Sequence, residues 1–255
     1  MGLPDENIHP HATGRAATTV AEHQEPQDLI FYSGWFCPYV QRVWIVLEER
    51  GIPYQYKEVN PYKKEAHFLA INPKGLVPAI EYKGRALYES LTICEFLEDA
   101  FPPSTSSVLP ADPFDRALVR LWTDHVNKQV VPAYMRLIQQ QDAQKQRDLL
   151  AELTKALQTL CAQVKGPYFF GEQFTLVDVA LAPWVTRDWV VAEHRGYSRE
   201  AVGAGWAEYA ARLESRESVV KTQSERVHFT EIYGRYLRDE AQSEGAKAIR
   251  AGRSF

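Results

Sequence analysis

Cys37 is the residue of this chain whose setting points most directly to chemistry. It follows a short apolar, aromatic run, Leu29-Ile30-Phe31-Tyr32, of the kind that forms a buried strand, and a turn at Ser33-Gly34. After it come Pro38 and then Val40, Val43, Trp44 and Leu47, the i, i+3, i+4, i+7 spacing of a helix face. Proline is favoured at the first helical position, where the amide it lacks would have gone unpaired. Cys37 is therefore expected at or next to the N-cap. There its sulfur can accept from the amides of Tyr39 and Val40 and feels the positive end of the helix dipole. Helix N-termini bring a thiol from about 8.5 to roughly 3.5–7.5; the dipole alone supplies about 1.5 units of that, so amide hydrogen bonds must supply the rest. A cysteine in an arbitrary place is more often a small buried hydrophobe. Strand, turn, cysteine, proline and helix in that order instead mark a reactive thiol. Val40 occupies the fourth position, so there is no CxxC pair. Any chemistry here is monothiol, with the second thiol supplied from outside.

The elements that position Cys37 can be read in chain order. Residues 1–27 are polar, contain three prolines and show no periodicity, and are expected to be a flexible tail in which His9 and His11 are solvated. The helix that starts at Pro38 should end near Arg50, before Gly51 and Pro53. Tyr54 to Val59 alternates aromatic and polar residues as a second strand. Lys63 to Ile71 can form a turn or two of helix, and Asn72-Pro73-Lys74-Gly75 is a loop. Proline inside Leu76-Val77-Pro78-Ala79-Ile80 does not suit a central strand. It predicts a turn at Val77-Pro78, through a cis bond or as an edge-strand start, and then a strand Ala79 to Tyr82. Lys83-Gly84 turns the chain into Ala86-Leu87-Tyr88. Glu89 and Ser90 open a helix whose inner face is Ile93, Cys94 and Leu97. This gives a β-α-β-α-β-β-α order, a small α/β domain over residues 28–101. Residues 102–113, rich in proline and serine, read as a linker. Residues 114–242 show helix patterns only: about Phe114 to Gln141, Lys145 to Val164, Leu176 to Val191, Gly205 to Glu214 and Phe229 to Glu240. Thr175-Leu176-Val177-Asp178 is a capping box with aspartate for glutamate. Residues 243–255 are expected to fray. Cys94 and Cys161 read as core residues.

Composition narrows the function classes. The 255 residues are 45% hydrophobic and 24% charged, ordinary for a globular protein, and the net charge of −4 argues against a nucleic-acid binder. Three dispersed cysteines make no disulfide framework and suit a reducing compartment. No stretch approaches the roughly 20 apolar residues of a membrane span, and no signal-peptide core is evident. The expected location is cytoplasmic, and no metal site is expected.

Together, strand-turn-CPY-helix, NPKGLVPAIE, LYES at a helix start and FTLVDVALAP in an all-helical second half resemble the glutathione transferases, and CPY resembles the omega class. The resemblance covers about Leu29 to Val219. It implies a thioredoxin-like N-terminal domain followed by the family's all-helical C-terminal domain. It also implies glutathione as co-substrate and Cys37 in the place where other classes use tyrosine or serine. Val77, ahead of cis Pro78, would pair its backbone with the cysteinyl residue of glutathione. Glu89 and Ser90 would hold the γ-glutamyl ammonium and carboxylate. Lys64, or its neighbour Lys63, would meet the glycyl carboxylate, and Phe36 and Tyr39 would flank the thiol. Tyr39 departs from the phenylalanine common in omega members, and Gln41-Arg42 differs from the expected acidic-basic pair. The helical half would close the acceptor pocket, with Arg120, Trp122, His125, Tyr134 and Trp184 as candidates. The family is usually dimeric, which makes a homodimer the expectation.

The function these features imply is a glutathione-dependent thiol transferase or deglutathionylase. Activity on dehydroascorbate and S-glutathionyl ketones, and a part in detoxification, would follow from the same thiol. A glutathionyl-hydroquinone reductase is the nearest alternative. A non-catalytic carrier of aromatic compounds is an alternative from another class.

Overall fold

The computed structural model describes residues 4–63, 65–101 and 106–253. The chain divides into two units: residues 1–108 with 216–228, and residues 109–215 with 229–255. Lys64, residues 102–105 and the two ends of the chain, 1–3 and 254–255, lie outside the described residues.

The first unit is built on four strands, β1 (Leu29–Ser33), β2 (Gln55–Glu58), β3 (Ala79–Tyr82) and β4 (Arg85–Tyr88), in the order β2-β1-β3-β4. β1 runs parallel to β2 and antiparallel to β3, and β3 and β4 form a hairpin. Before β1 stands α1 (Gly14–Glu22); α2 (Pro38–Arg50) joins β1 to β2, α3 (Ala66–Ile71) precedes β3, and α4 (Ser90–Ala100) follows β4. This is the thioredoxin-like arrangement. Helix α2 is buried on nearly every side, the apolar Val40, Val43, Trp44, Ile45, Val46 and Leu47 together with Gln41 and Arg42, and it packs against α4. It ends at Gly51, whose φ of 60° lets the chain turn left-handed at the C-cap. The buried Arg50 guanidinium, paired with Glu98 at 3.1 Å, donates to the carbonyls of Leu97 and Phe101 and so ties α2 to the end of α4.

Two expectations for this unit need correction. The described part of the expected tail, residues 4–27, is not loose: a 3-10 turn (Pro4–Asn7) and α1 pack on the unit. The buried residues there, Ala12, Ala16 and Thr19, are small and of low hydropathy. They give no periodic signal, yet they let the helix approach closely. Hydrogen bonds then hold it: Thr19 Oγ1 donates to the Lys221 carbonyl at 2.8 Å and the Tyr56 amide to that of His23 at 2.8 Å. The expected linker is also less independent than its composition suggests. Val108 is buried, its amide donates to Glu98 at 3.1 Å, and Ser106 Oγ donates to the Glu49 carbonyl at 2.7 Å.

The second unit is helical. Its elements are α5 (Pro113–His125), a π-helical turn (Val126–Val130), α6 (Val131–Gln139), α7 (Ala143–Cys161), α8 (Leu176–Val185), α9 (Trp189–Arg195), α10 (Arg199–Val202) and α11 (Trp206–Ser215). After α12 (Glu217–Lys221) it resumes with α13 (Phe229–Leu237) and α14 (Glu244–Arg250). The single helix expected from Phe114 to Gln141 carries the π turn just ahead of Pro132, where the proline has no amide for a regular bond. Asp178 is the hub of this core. It accepts from the Thr175 amide at 2.7 Å, the Phe169 amide at 2.9 Å and the Tyr209 hydroxyl at 2.7 Å, joining the start of α8 to the preceding loop and to α11.

The helical domain expected over 114–242 is not continuous, because Arg216–His228 belongs to the first unit. Arg216 pairs with Glu49 and Ser218 Oγ donates to it at 2.8 Å, while α12 lies against α2. The segment 243–255, expected to fray, contains α14, capped by Ser243 and seated through the small residues Ala246 and Ala248. As in α1, alanines carry the contact without a strong apolar signal.

Candidate active site

The site begins where β1 runs out. Gly34 follows Ser33, and a Cβ there would lie 3.3 Å from both the Val59 carbonyl and the Val77 side chain, so only glycine fits without displacing a neighbour. The Cys37 amide donates to the Gly34 carbonyl at 2.9 Å and closes the turn. Cys37 is the N-cap of α2 in extended conformation (φ −78°, ψ 123°) with Pro38 behind it, and its carbonyl accepts from Gln41 at 3.1 Å. The sulfur makes no capping bond to the helix amides, in contrast to the expectation for Tyr39 and Val40. It lies instead 3.8 Å from the Val77 carbonyl, a distance at which the thiol donates.

Val77 is held in place by the loop before it. Asn72, buried, donates through Nδ2 to the Leu76 carbonyl at 2.7 Å and accepts through Oδ1 from the Lys74 amide at 3.1 Å. The Val77–Pro78 peptide is cis, and β3 starts at once after it. Glu89 is the N-cap of α4 with φ of 76°, a left-handed conformation uncommon for a residue with a side chain. Such outliers gather at functional sites. Its carboxylate meets Lys74 Nζ at 2.8 Å, and that ammonium also lies over the Tyr88 ring. Hydrogen bonding and charge from Glu89 raise the Lys74 pKa. Ser90, buried, begins the helix itself. Phe36 is buried against Trp35 and stacks with Tyr62. Lys63 is exposed; Lys64 lies outside the described residues.

Arg42 and Glu58 carry the charge behind the turn, and neither was expected to. Arg42 is buried with its guanidinium over the Tyr39 ring at 5.2 Å. Burial brings its pKa down to about 10, while Tyr39, Cys94 and Cys37 favour the cation. Glu58 accepts from the Trp35 amide at 3.1 Å, and burial pushes its carboxyl up to about 7. The signal that could have found it is its place on the aromatic face of β2, where an acid is out of pattern. The five acceptor-pocket candidates all belong to the second unit, and its own packing does not gather them. Tyr134 and Trp184 line a cavity of about 20 Å³ together with Leu157, Asp188 and Trp206, room for one water-sized molecule. Tyr134 donates to the Arg187 carbonyl at 2.8 Å. Trp122 packs on His125 and Phe169, His125 Nε2 lies 3.0 Å from the Ala156 carbonyl, and Arg120 is exposed.

Comparison with known proteins places this geometry in a family. Residues 36–100 match the glutathione S-transferase N-terminal domain and residues 128–212 the glutathione S-transferase C-terminal domain. Glutathione S-transferase omega-1 of Sus scrofa is 34% identical over 167 residues, 64% of this chain and 68% of that protein. The crystal structure of glutathione transferase Omega 3C from Trametes versicolor aligns at a TM-score of 0.87 with 67% identity, covering 91% of this chain and all of that one. The chain is an omega-class glutathione transferase. A rice glutathione transferase, solved in complex with glutathione, is a more distant relative of this transferase, at a TM-score of 0.76 and 28% identity over 84% of this chain and 100% of that one. Among the described residues no cluster of His, Cys, Asp and Glu could hold a metal ion, and no helix is long and apolar enough to cross a membrane.

Proposed function

We propose that this transferase is a glutathione-dependent thiol transferase that works through Cys37 alone. The observation that carries the reading is the placing of its three cysteines. Cys37 is half-buried at the N-cap of α2; Cys94 is fully buried, which pushes its thiol up to about 12, and Cys161, though as half-buried as Cys37, stands in the last turn of α7 with its thiol raised by burial. In the reaction, the Cys37 thiolate attacks the glutathione sulfur of a mixed disulfide. A sulfur–sulfur bond forms, the old one breaks, and the substrate thiolate leaves with the electron pair and takes up a proton. A second glutathione, as thiolate, attacks the enzyme-bound disulfide, releasing glutathione disulfide and the Cys37 thiolate. Val40 at the fourth position makes that second thiol necessary.

Glutathione would lie along the Val77 backbone as an added strand, beside Phe36 and Pro78. Its peptide amide would take the Val77 carbonyl from the Cys37 thiol, freeing the sulfur as substrate arrives. Ser90 would receive the γ-glutamyl carboxylate at the start of α4, and the ammonium would replace Lys74 on Glu89. Lys64 or Lys63 would meet the glycyl carboxylate. Dehydroascorbate and S-glutathionyl ketones are further acceptors for the same thiol, with Tyr39 beside it. A homodimer in the cytoplasm completes the proposal. Phe114 (71% exposed) and Leu121 (58% exposed), seven residues apart on α5, give one helix face to support the assembly. Light scattering should then give twice the chain mass, and Leu121→Asp half of that.

Treatment with glutathione disulfide followed by intact-mass measurement should add one glutathione, removable by free glutathione. Cys37→Ser should take up none and lose thiol transferase turnover. Full activity in Cys37→Ser would end the proposal.

A further inference from the structure

Glu58 ends β2 opposite Ser33 in the parallel register, which sets its side chain beside the turn that leads to Cys37. One carboxylate oxygen accepts from the Trp35 backbone amide at 3.1 Å, and the other accepts from the Tyr56 hydroxyl at 2.8 Å. Trp35 is held from a second direction, because its buried indole donates to the His9 carbonyl at 2.8 Å. One residue before it, the Gly34 carbonyl accepts from the Cys37 amide and closes the turn. The Trp35 peptide is thus the fixed middle of the segment whose end carries the sulfur. A neutral glutamine could accept the Trp35 bond, so the structure alone does not require an acid here. Withdrawing a carboxylate from water is costly, and in a site the usual return on that cost is chemical. The titratable groups around the carboxyl are the Tyr56 phenol on its own strand and, beyond the Trp35 ring, the imidazoles of His9 and His228, which lie 4.2 Å apart.

We propose that Glu58 is a positioning residue for Cys37, its carboxylate fixing the Trp35 amide and through it the Gly34–Cys37 turn in the geometry from which the thiol reacts. The proposal rests on Cys37 being the reacting thiol. Hydrogen bonds to an ionised acceptor are roughly twice as strong as neutral ones, so the anchor is firm when Glu58 is ionised and slackens when it is protonated. Because burial brings this carboxyl up to about 7, the change falls in the neutral range.

The test measures iodoacetamide alkylation of Cys37 from pH 5 to 9, with the site of modification read by peptide mass. Each rate is divided by the thiolate fraction taken from absorbance at 240 nm, so that the ionisation of the thiol itself drops out. In the wild-type protein the rate per thiolate should rise about fivefold as the pH crosses 7, the factor expected for one charge-assisted bond over a neutral one. Glu58→Gln should give a flat profile at the lower level. Tyr56→Phe removes the hydrogen bond that lowers the Glu58 pKa, so the rise should survive but move to higher pH, which a loss of folding alone would not produce. If Glu58→Gln and the wild type superimpose at every pH, the positioning role is overturned while the Cys37 reading stands. If Cys37 of the wild-type protein is not alkylated at all, it is the Cys37 reading that fails.

Discussion

At the scale of single residues, a carboxyl held near 7 in the folded state and near 4.5 in the unfolded one makes a statement about stability. Between those values the folded protein binds more protons than the unfolded chain, so stability falls as the pH rises through that window. The shift of about 2.5 units corresponds to about 3 kcal/mol. Urea unfolding at pH 5 and pH 8 should show Glu58→Gln losing less stability than the wild type between the two, by an amount of that order. A variant that tracks the wild type at both pH values would mean that the carboxyl is not withdrawn from solvent. Arg42 acts in the opposite sense on the same site. Its buried cation lies within electrostatic reach of Cys37, and a nearby positive charge favours a thiolate. Arg42→Met should move the midpoint of Cys37 alkylation up by about one pH unit, with Arg42→Lys recovering part of it. An unchanged midpoint would remove Arg42 from the account of the thiol.

At the scale of elements, the strand and helix order of the first unit was legible because each boundary is written in turn chemistry. Pro38 starts α2, Gly51 ends it, and Pro78 pushes β3 one residue on. The turn carrying Cys37 was legible for the same reason. What was hidden lay where contact is made by small or polar residues. Ala12, Ala16 and Thr19 seat α1, and Ala246 and Ala248 seat α14, without an apolar stripe to announce them. Glu58 was hidden because an acid on a short strand is ordinarily solvated, and its bond to Trp35 depends on a pairing register that sequence does not state. The α1 contact predicts a measurable loss. Deleting residues 1–24 removes the Thr19, His9 and His23 hydrogen bonds and should lower the thermal midpoint by about 5 °C or more. No change in midpoint would show the segment to be detachable. In the helical unit, Asp178→Ala strands two buried amides and the Tyr209 hydroxyl. It should cost about 3 kcal/mol in urea unfolding; a loss below about 1 kcal/mol would mean that other groups carry the α8 start.

At the scale of the whole molecule, three thiols in unequal surroundings predict a counting experiment. Native protein with Ellman's reagent should release one equivalent quickly, from Cys37, a second more slowly from the half-buried Cys161, whose thiol is raised by burial, and the third only on denaturation, since Cys94 is fully buried. A fast phase that persists in Cys37→Ser would assign the reactive thiol elsewhere. The chain path gives the molecule a second global property. Residues 216–228 leave the helical unit to complete the first one, where Lys221 lies 3.6 Å from Glu48, Arg216 meets Glu49, and Thr222 accepts from Gln41 at 3.3 Å. A cut at Val108–Leu109 therefore does not separate two self-sufficient halves. A fragment ending there would lose the polar strap over α2, and its complement would carry that strap with nothing to bind. Shuffling halves between relatives by one crossover should accordingly give unstable chimeras, and functional exchange needs two further junctions, near 216 and 228, so that the borrowed piece travels with the sheet it belongs to.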